Sequence, residues 1–406
     1  MPQSLQIGWI DYGSRDRNKI LSVLSLLSAS EAVDELGIGV VRDGFADLLF
    51  PGISTIQTRA KYFLLVPYIM MELERENNLN PKALLDRLSR EEIALIAILK
   101  KDNAEGVIGG RAGEELQRKP SSIYWNGICT YGIFKNYSRI SLNGYLRAVC
   151  AMKREKSLLS AAGHIDKGEG TDDADSMYCS TSGFWRVPLP PENWRESVSI
   201  ELTNEEAVFL RERIIKSEHS KDSLLAHILR NKLYGVVEYD DILNIGSCLE
   251  LPEDIRNIYE MAQRFARFIY GANIRYNVIL SGEQNKEANE EWDNWYDSVT
   301  AGFIQNYDIS EAVNRLSLSG RNRARLVPFF DKWKKAVLSG DAAVMDKLII
   351  KREIELKGQE RAKLNSENFS WQDGLWLGGG RLQYRFRNFR RMIEDIYNGL
   401  GGDKNV

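Results

Sequence analysis

Residues 254–281 read DIRNIYEMAQRFARFIYGANIRYNVILS and carry the clearest periodic pattern in the chain. Their apolar side chains recur every three to four positions, the spacing that places side chains on one face of an α-helix. That face comprises Ile258, Met261, Ala262, Phe265, Phe268, Ile269 and Ala272. We therefore predict a long amphipathic helix here.

The same helical spacing recurs on both sides of this stretch, whereas the alternation typical of strands is scarce. Thr203 and Glu206 have the spacing of a capping box and predict the start of another helix. Helical patterns cover residues 16–35, 42–49, 57–76, 81–100, 203–215, 222–235, 308–317, 322–338, 341–356 and 381–397. No internal repeat is evident, so we predict a mainly α, multi-helix fold and not a solenoid.

Two or three helical domains fit this pattern. Residues 163–183 are polar, acidic and glycine-bearing, and Val187–Pro191 is extended because each proline disfavours a helical residue before it. We predict an N-terminal helical domain over 1–162, a linker and proline-rich segment over 163–200, and a C-terminal helical domain over 201–406 that ends in a basic helix.

Composition excludes several classes of protein. The 406 residues are 43% hydrophobic and 27% charged, which is typical of a globular protein and not of a disordered one. The four cysteines form no CxxC pair, so we expect reduced thiols in a cytoplasmic protein. The N-terminus lacks a secretory signal, and the most apolar stretch, residues 62–71, is too short to span a bilayer, so we expect no membrane partner.

Signatures of catalysis are absent from the sequence. Its three histidines lack metal-ligand spacing, and Gly109–Gly113 is followed by two glutamates where a P-loop needs lysine and a hydroxyl. No nucleophile elbow occurs. We expect no cofactor and, on balance, no enzymatic activity; the sequence names no reaction.

Local basic clusters are the strongest functional pattern. With a formal net charge of -3, the chain can attract nucleic acid only through a local basic face. The segment Ser54–Tyr62 starts a predicted helix with the polar side chains Thr55, Gln57, Arg59 and Lys61, which suits a phosphate or base edges. The alternative, which the sequence supports equally, is that Thr55 only caps the helix and that Arg59 pairs with Asp43 or Asp47.

Residues 114–150 permit a helix-turn-helix or winged-helix element. A short helix, the break at Lys119-Pro120 and a second helix have that outline. Its edge would contact nucleic acid through Arg111, Arg118, Lys119, Ser121 and Tyr124. The alternative is a helical hairpin in which Tyr124, Trp125 and Ile128 belong to the core.

The C-terminal segment is the most basic part of the chain. Its cations are Arg381, Arg385, Arg387, Arg390 and Arg391, interleaved with Tyr384, Phe386 and Phe389. They can follow a nucleic-acid backbone while the rings stack on bases or pack inward. They can equally bind an acidic partner or the chain's own acidic residues 283–297. The glycines before them, Gly378–Gly380, form either an anion-binding nest or a hinge.

Carboxylates support one enzymatic alternative. Asp11, Asp34, Glu35 and Asp43 would act as a metal-dependent nuclease if they converge on Mg²⁺. The competing interpretation is ion pairing with Arg15, Arg17 and Arg42, and helix capping. A third hypothesis is a protein–protein scaffold that docks through the tryptophan-bearing segments 292–295 and 371–376.

Several motifs along the chain resemble an uncharacterised bacterial family. They are GWIDY at 8–12, DELGIG at 34–39, Arg42-Asp43, FPG at 50–52, STIQTRAKY at 54–62, KPSSIYW at 119–125, Phe184-Trp185, Pro188–Trp194, Glu205–Ala207, Phe209–Arg213, Gly271-Ala272 and Ala324–Leu326. The resemblance covers nearly the whole chain and implies a place near helicases in phage-defence islands.

Together the clusters and the resemblance favour a DNA-interacting or adaptor subunit of an anti-phage defence system, without catalytic activity of its own. Its expected partners are nucleic acid, in particular DNA, and other defence proteins such as a helicase. Three arginines in or beside the N-terminal motifs join the predicted contacts to nucleic acid: Arg15, Arg17 and Arg42.

Overall fold

A computed structural model describes residues 34–76, 80–100, 105–135, 140–161, 183–365 and 369–402. Within these ranges the chain forms sixteen α-helices and no strand, apart from one isolated antiparallel bridge between Phe134 and Trp185. The predicted mainly α fold is confirmed. None of the described helices is both long enough and apolar enough to cross a bilayer.

The helices follow one another as α1 (Gly39–Leu49), α2 (Tyr62–Leu73), α3 (Pro81–Leu99), α4 (Pro120–Thr130), α5 (Leu142–Ala161), α6 (Trp194–Ser197), α7 (Asn204–Lys216), α8 (Leu224–Arg230), α9 (Ile242–Ile245), α10 (Glu253–Leu280), α11 (Lys286–Thr300), α12 (Phe303–Asn306), α13 (Ile309–Arg315), α14 (Gly320–Ser339), α15 (Ala342–Lys357) and α16 (Phe386–Gly399). Short 3-10 turns occupy Gly113–Glu115, Tyr234–Glu238 and Gly246–Cys248.

Two compact units make up the described chain, and each is assembled from three separate stretches. The large unit contains residues 39–266, 308–324 and 383–402, and the small unit contains residues 34–38, 267–307 and 325–382. The predicted linker over 163–200 falls inside the first stretch of the large unit, and its residues 163–182 lie outside the described ranges.

Helix α2 lies at the centre of the large unit. All of its side chains except Glu72 are buried, because the sequence YFLLVPYIMMEL is apolar on every side and leaves no face suited to water. It packs against α3 and α4. The predicted helix over 57–76 was too long: residues 54–61 form turns, which side chains from distant parts of the unit hold in place.

Helix α7 begins as its sequence predicts. The Thr203 hydroxyl accepts a hydrogen bond from the Glu206 amide, and the Glu206 carboxylate accepts one from the Thr203 amide. These reciprocal bonds satisfy two amides that a helix start otherwise leaves unpaired.

Aromatic side chains fill the core of the small unit. The indole of Trp295 stacks near that of Trp333, with ring centroids 6.1 Å apart, and its N–H donates to the Arg267 carbonyl at 2.7 Å. Gly271 makes room for the Trp295 ring, because a Cβ atom there would lie 2.2 Å from it. A polar segment that carries no helical prediction, residues 286–300, forms α11.

Candidate functional site

Helix α16 combines a buried apolar face with an outer face of arginines. Its inward side chains are Phe386, Phe389, Met392, Ile393 and Ile396, and all are buried. The rings of Phe389 and Phe50 stack with centroids 4.3 Å apart. The helix starts at Phe386 and not at the predicted Arg381. Tyr384 and Arg385 have φ angles of 49° and 66°, in the left-handed region, and such angles cannot continue a right-handed helix.

Arg385 belongs to the interior of the large unit. Its guanidinium donates to the Asp47 carboxylate at 2.6 Å and to the Ile53 carbonyl at 2.7 Å, and it pairs with Asp43 at 3.4 Å. Arg42 also donates to Asp43, at 3.2 Å. Both carboxylates lie on α1, and Asp43 belongs to the Arg42-Asp43 motif, so Arg385 fastens α16 to α1 and is left out of any interface.

The same helix holds the turn segment 53–61. The Asn388 amide donates to the carbonyls of Thr55 and Gln57, at 3.3 and 2.7 Å. Asp395 accepts from the Ala60 amide at 2.7 Å and from the Arg59 guanidinium at 2.9 Å. The hypothesis that Arg59 pairs with a carboxylate therefore fits the structure, although the carboxylate is Asp395 and not Asp43 or Asp47.

Several predicted nucleic-acid ligands use their polar groups inside the fold. Gln57 donates to the Gly52 carbonyl, and Lys61 pairs with Glu206 at 2.5 Å in a buried contact. The hydroxyl of the fully buried Tyr124 accepts from the amides of Thr58 and Arg59. Thr55 is exposed, but residues 54–61 are turns, so its neighbourhood is not the helix start that the sequence predicts.

The proposed first helix of a helix-turn-helix is only the 3-10 turn at Gly113–Glu115. Helix α4, which would follow it, exposes only Ser122 and Asn126 and buries Tyr124, Trp125 and Ile128. This is the core arrangement that the alternative interpretation describes.

Ser121 faces a buried carboxylate that the sequence analysis missed. Glu92 on α3 accepts from the Ser121 amide at 2.5 Å and from its hydroxyl at 3.1 Å, so a charge from another helix caps α4. Burial raises the pKa of Glu92 to about 7, and the bonds from Ser121 and the charge of Lys119 only partly oppose this. No local pattern could have indicated the pairing, because the two residues lie on different helices.

The outer face of α16 carries three of the predicted cations within five residues. Arg387 is exposed, and it makes no ion pair with any residue in the described ranges. Arg390 pairs with Asp240 at 2.6 Å, and Arg391 pairs with Glu394 at 3.1 Å and with Glu105 at 3.4 Å. The side chains of Asp240 and Glu105 are 95% and 86% exposed, whereas those of Arg390 and Arg391 are 31% and 34% exposed, so water reaches both ion pairs from the carboxylate side.

Segment 105–119 contacts α16 through Glu105 and carries further predicted cations. It begins at Glu105, the partner of Arg391, and continues through tight turns closed by bonds from the Gly110 amide to Val107 and from the Gly113 amide to Gly109. Arg111 and Arg118 are exposed. Lys119 is half-buried and donates to the Leu116 carbonyl at 3.0 Å.

The carboxylates of the nuclease alternative take part in structural contacts. Asp34 accepts from the Ile38 amide at 2.6 Å, and Glu35 is buried between Lys357 and Lys363. Burial and the charge of Lys363 lower the pKa of Lys357 to about 8, against an opposing effect of Asp34. Across the described part of the chain, no three His, Cys, Asp or Glu side chains gather as a metal site. Asp11, Arg15 and Arg17 lie outside the described residues.

Arg381 and the tryptophan segments belong to the small unit. Arg381 pairs with Glu291 at 3.3 Å, which fits the hypothesis that the basic segment contacts the acidic stretch 283–297, and it lies over the Tyr270 ring. Trp295 is buried, and the Trp371 indole N–H donates to the Leu375 carbonyl, so both contribute to folding.

Gly378–Gly380 do not form an anion-binding nest, and side-chain hydrogen bonds hold the start of this segment in place. None of these glycines has a positive φ, which an anion-binding nest requires. Instead, the amides of Leu377 and Gly378 donate to the buried Asn277 side chain, at 2.8 and 2.9 Å.

Comparison with known proteins adds one finding. Residues 4–150 match the family of unknown function DUF6361. The match includes the motifs from GWIDY to KPSSIYW, and it confirms the resemblance to an uncharacterised family over that range. The motifs after residue 150 lie outside the matched range. Helix α16 also lies outside it, although side chains of this helix and of Arg385 before it contact residues 50–61 inside the matched range. No curated protein and no solved structure matches the chain.

Proposed function

We propose that this protein binds nucleic acid as a non-catalytic DNA-interacting or adaptor subunit of a bacterial anti-phage defence system. The contact surface, which we call the arginine face, is the outer face of α16 with Arg387, Arg390 and Arg391. We expect the cations of segment 105–119, which contacts Arg391 through Glu105, to extend it. The observation that carries the proposal is this arrangement in an otherwise weakly acidic protein: Arg387 is exposed, and Arg390 and Arg391 are half-buried with highly exposed carboxylate partners, Asp240 and Glu105.

The pairs on the arginine face are exchangeable. An exposed ion pair contributes only about 0–1 kcal/mol, because water and salt screen the charges and two side chains lose freedom. A phosphate that replaces Asp240 or Glu105 therefore displaces little and gains a charge-assisted hydrogen bond from Arg390 or Arg391.

Recognition through this surface does not depend on base sequence. The rings interleaved with the arginines, Tyr384, Phe386 and Phe389, are buried and cannot stack on bases. Phosphate contacts alone position a protein on nucleic acid without selecting bases. This suits an adaptor that works beside a partner such as a helicase, the setting that the family resemblance implies.

The decisive experiment measures binding of the full chain to duplex and single-stranded DNA at two salt concentrations. The variant R387Q/R390Q/R391Q should bind at least tenfold more weakly, by the loss of three phosphate contacts. The control K335Q/K347Q/K351Q removes the same charge from exposed lysines of the small unit and should bind as the parent does. If the wild-type chain does not bind at low salt, or if both variants bind equally, the proposal fails.

A further inference from the structure

Arg352 is a buried cation with neutral partners. It lies on α15 with 4% of its surface exposed. Its Nε donates to the Leu36 carbonyl at 2.9 Å, its Nη1 donates to the Arg325 carbonyl at 3.2 Å, and its guanidinium lies 4.7 Å from the centre of the Phe329 ring. These hydrogen-bond acceptors and the ring are neutral, whereas a buried guanidinium is matched best by an acceptor that carries a negative charge.

One donor of this guanidinium is unsatisfied. Its Nη2 is buried and has no hydrogen-bond partner in the described part of the chain. A buried polar group without a partner is costly, and a buried charge is more so. Burial, and then the like charge of Arg325, lower the pKa of Arg352, whereas Glu355 and Asp34 oppose the shift.

A second guanidinium lies beside the first at the Leu36–Gly37 turn. Arg325 is exposed and makes no ion pair with another described residue. Its Nη2 is 3.3 Å from the position that a Cβ on Gly37 would occupy, and Gly37 has a φ of 65°. Two methyl carbons of Leu356 lie nearer still to that position, at 2.9 and 3.1 Å. The Leu36–Gly37 turn is therefore bordered by Leu356 and by both cations, since the Leu36 carbonyl also accepts from Arg352.

We propose that Arg325 and Arg352 form a binding site for a phosphate-type dianion beside the Leu36–Gly37 turn. Guanidinium groups match the geometry of a phosphate through paired N–H donors. An anion here supplies an acceptor for Nη2 of Arg352 and separates two like charges. The exposed Arg325 side chain is the part that swings to admit it. The site is independent of the arginine face, which belongs to the large unit.

Two sources offer this chemistry: a free phosphate or phosphomonoester, and the 5′-terminal phosphate of a nucleic-acid strand. The test is thermal unfolding of the full chain in inorganic phosphate, against chloride at equal ionic strength. We expect the midpoint to rise with phosphate concentration, because a ligand of the folded state stabilises it by mass action. A second arm compares an oligonucleotide with and without its 5′-phosphate; a difference between the two at micromolar concentrations identifies the strand end as the source.

Arg325→Gln is the main variant, because an exposed side chain can be changed without disturbing the core. It should weaken the phosphate effect by about tenfold or more, the loss of one charge-assisted contact. Arg352→Met keeps an unbranched apolar side chain but removes the guanidinium, and it should abolish the effect. Lys335→Gln, the control, should respond as the wild-type chain does.

A midpoint that rises no further in phosphate than in chloride would overturn the site, as would an equal rise in Arg325→Gln and the control. If Arg352→Met does not fold, equilibrium dialysis can compare phosphate binding by the wild type and by Arg325→Gln. Equal binding by these two proteins would overturn the site. Loss of DNA binding in the α16 variant with the phosphate response intact would separate this site from the proposed function.

Discussion

The guanidinium of Arg59 and the carboxylate of Asp395 form a buried ion pair that joins the turn segment before α2 to the last described helix. Nε of Arg59 lies 2.9 and 3.1 Å from the two carboxylate oxygens, and the side chains are 11% and 2% exposed. The same carboxylate accepts from the Ala60 amide. A contact between residues 336 positions apart therefore holds a motif that matches a known family.

Replacing Asp395 by Asn should destabilise the large unit by about 3–5 kcal/mol, because it leaves the Arg59 charge buried without a counter-ion. Urea unfolding followed by circular dichroism measures the change. The control Glu212→Gln breaks the exposed pair with Lys216 and should cost less than about 1 kcal/mol. Similar losses in the two variants would show that burial does not govern this ion pair.

Glu92 should make the free energy of unfolding fall as the pH rises. A carboxylate whose pKa is lowered on folding, for example by an ion pair, has the opposite effect. Its pKa rises from 4.5 to about 7 on folding, so the folded state retains the proton to higher pH than the unfolded chain. The stability that this group contributes is present in full below pH 4.5 and is lost as the pH rises to about 7.

The neutral variant Glu92→Gln removes this dependence. It should exceed the wild type in stability by on the order of 3 kcal/mol above pH 7, and the difference should shrink toward pH 5. Unfolding free energies of both proteins between pH 5 and 8 measure it. A difference that stays constant over this range would rule out titration of Glu92.

Gly271→Ala should destabilise the small unit although alanine favours helix. The added Cβ would lie 2.2 Å from the Trp295 ring, which is held by its bond to the Arg267 carbonyl. Overpacking of a core costs about 1–3 kcal/mol. The control Gly144→Ala on α5 meets its nearest atoms at 3.4 Å and should be neutral or stabilising by up to about 1 kcal/mol. Thermal unfolding compares them, and a stabilised Gly271→Ala would contradict the packing argument.

The arginine face should determine how DNA binding responds to salt. Each phosphate contact on a duplex adds about 0.9 to the slope of log affinity against log salt, because bound cations are released. R387Q/R390Q/R391Q should therefore reduce that slope by about 2–3 relative to the wild type. Fluorescence anisotropy between 50 and 200 mM salt measures it; an unchanged slope would place the contacts elsewhere.

Helical periodicity and helix capping are local properties, and they predicted the mainly α fold that the structure shows. The pattern of residues 254–281 corresponds to α10, and the Thr203–Glu206 box starts α7. The ends of helices could not be predicted from the sequence where side chains from distant parts of the chain compete with the local preference for helix. Residues 54–61 form turns because Asn388, Tyr124 and Asp395 satisfy their backbone groups.

The roles of individual cations were not local. Arg385 and Arg387 are two positions apart in the same basic segment, yet Arg385 is bound to Asp47 and Arg387 is exposed. Spacing along the chain could therefore identify a helix with a basic and an apolar side. It could not tell which charges meet a carboxylate, because that depends on residues brought near by packing over hundreds of positions. Charge pairing and burial belong to the folded chain, and they select the few arginines that remain for a partner.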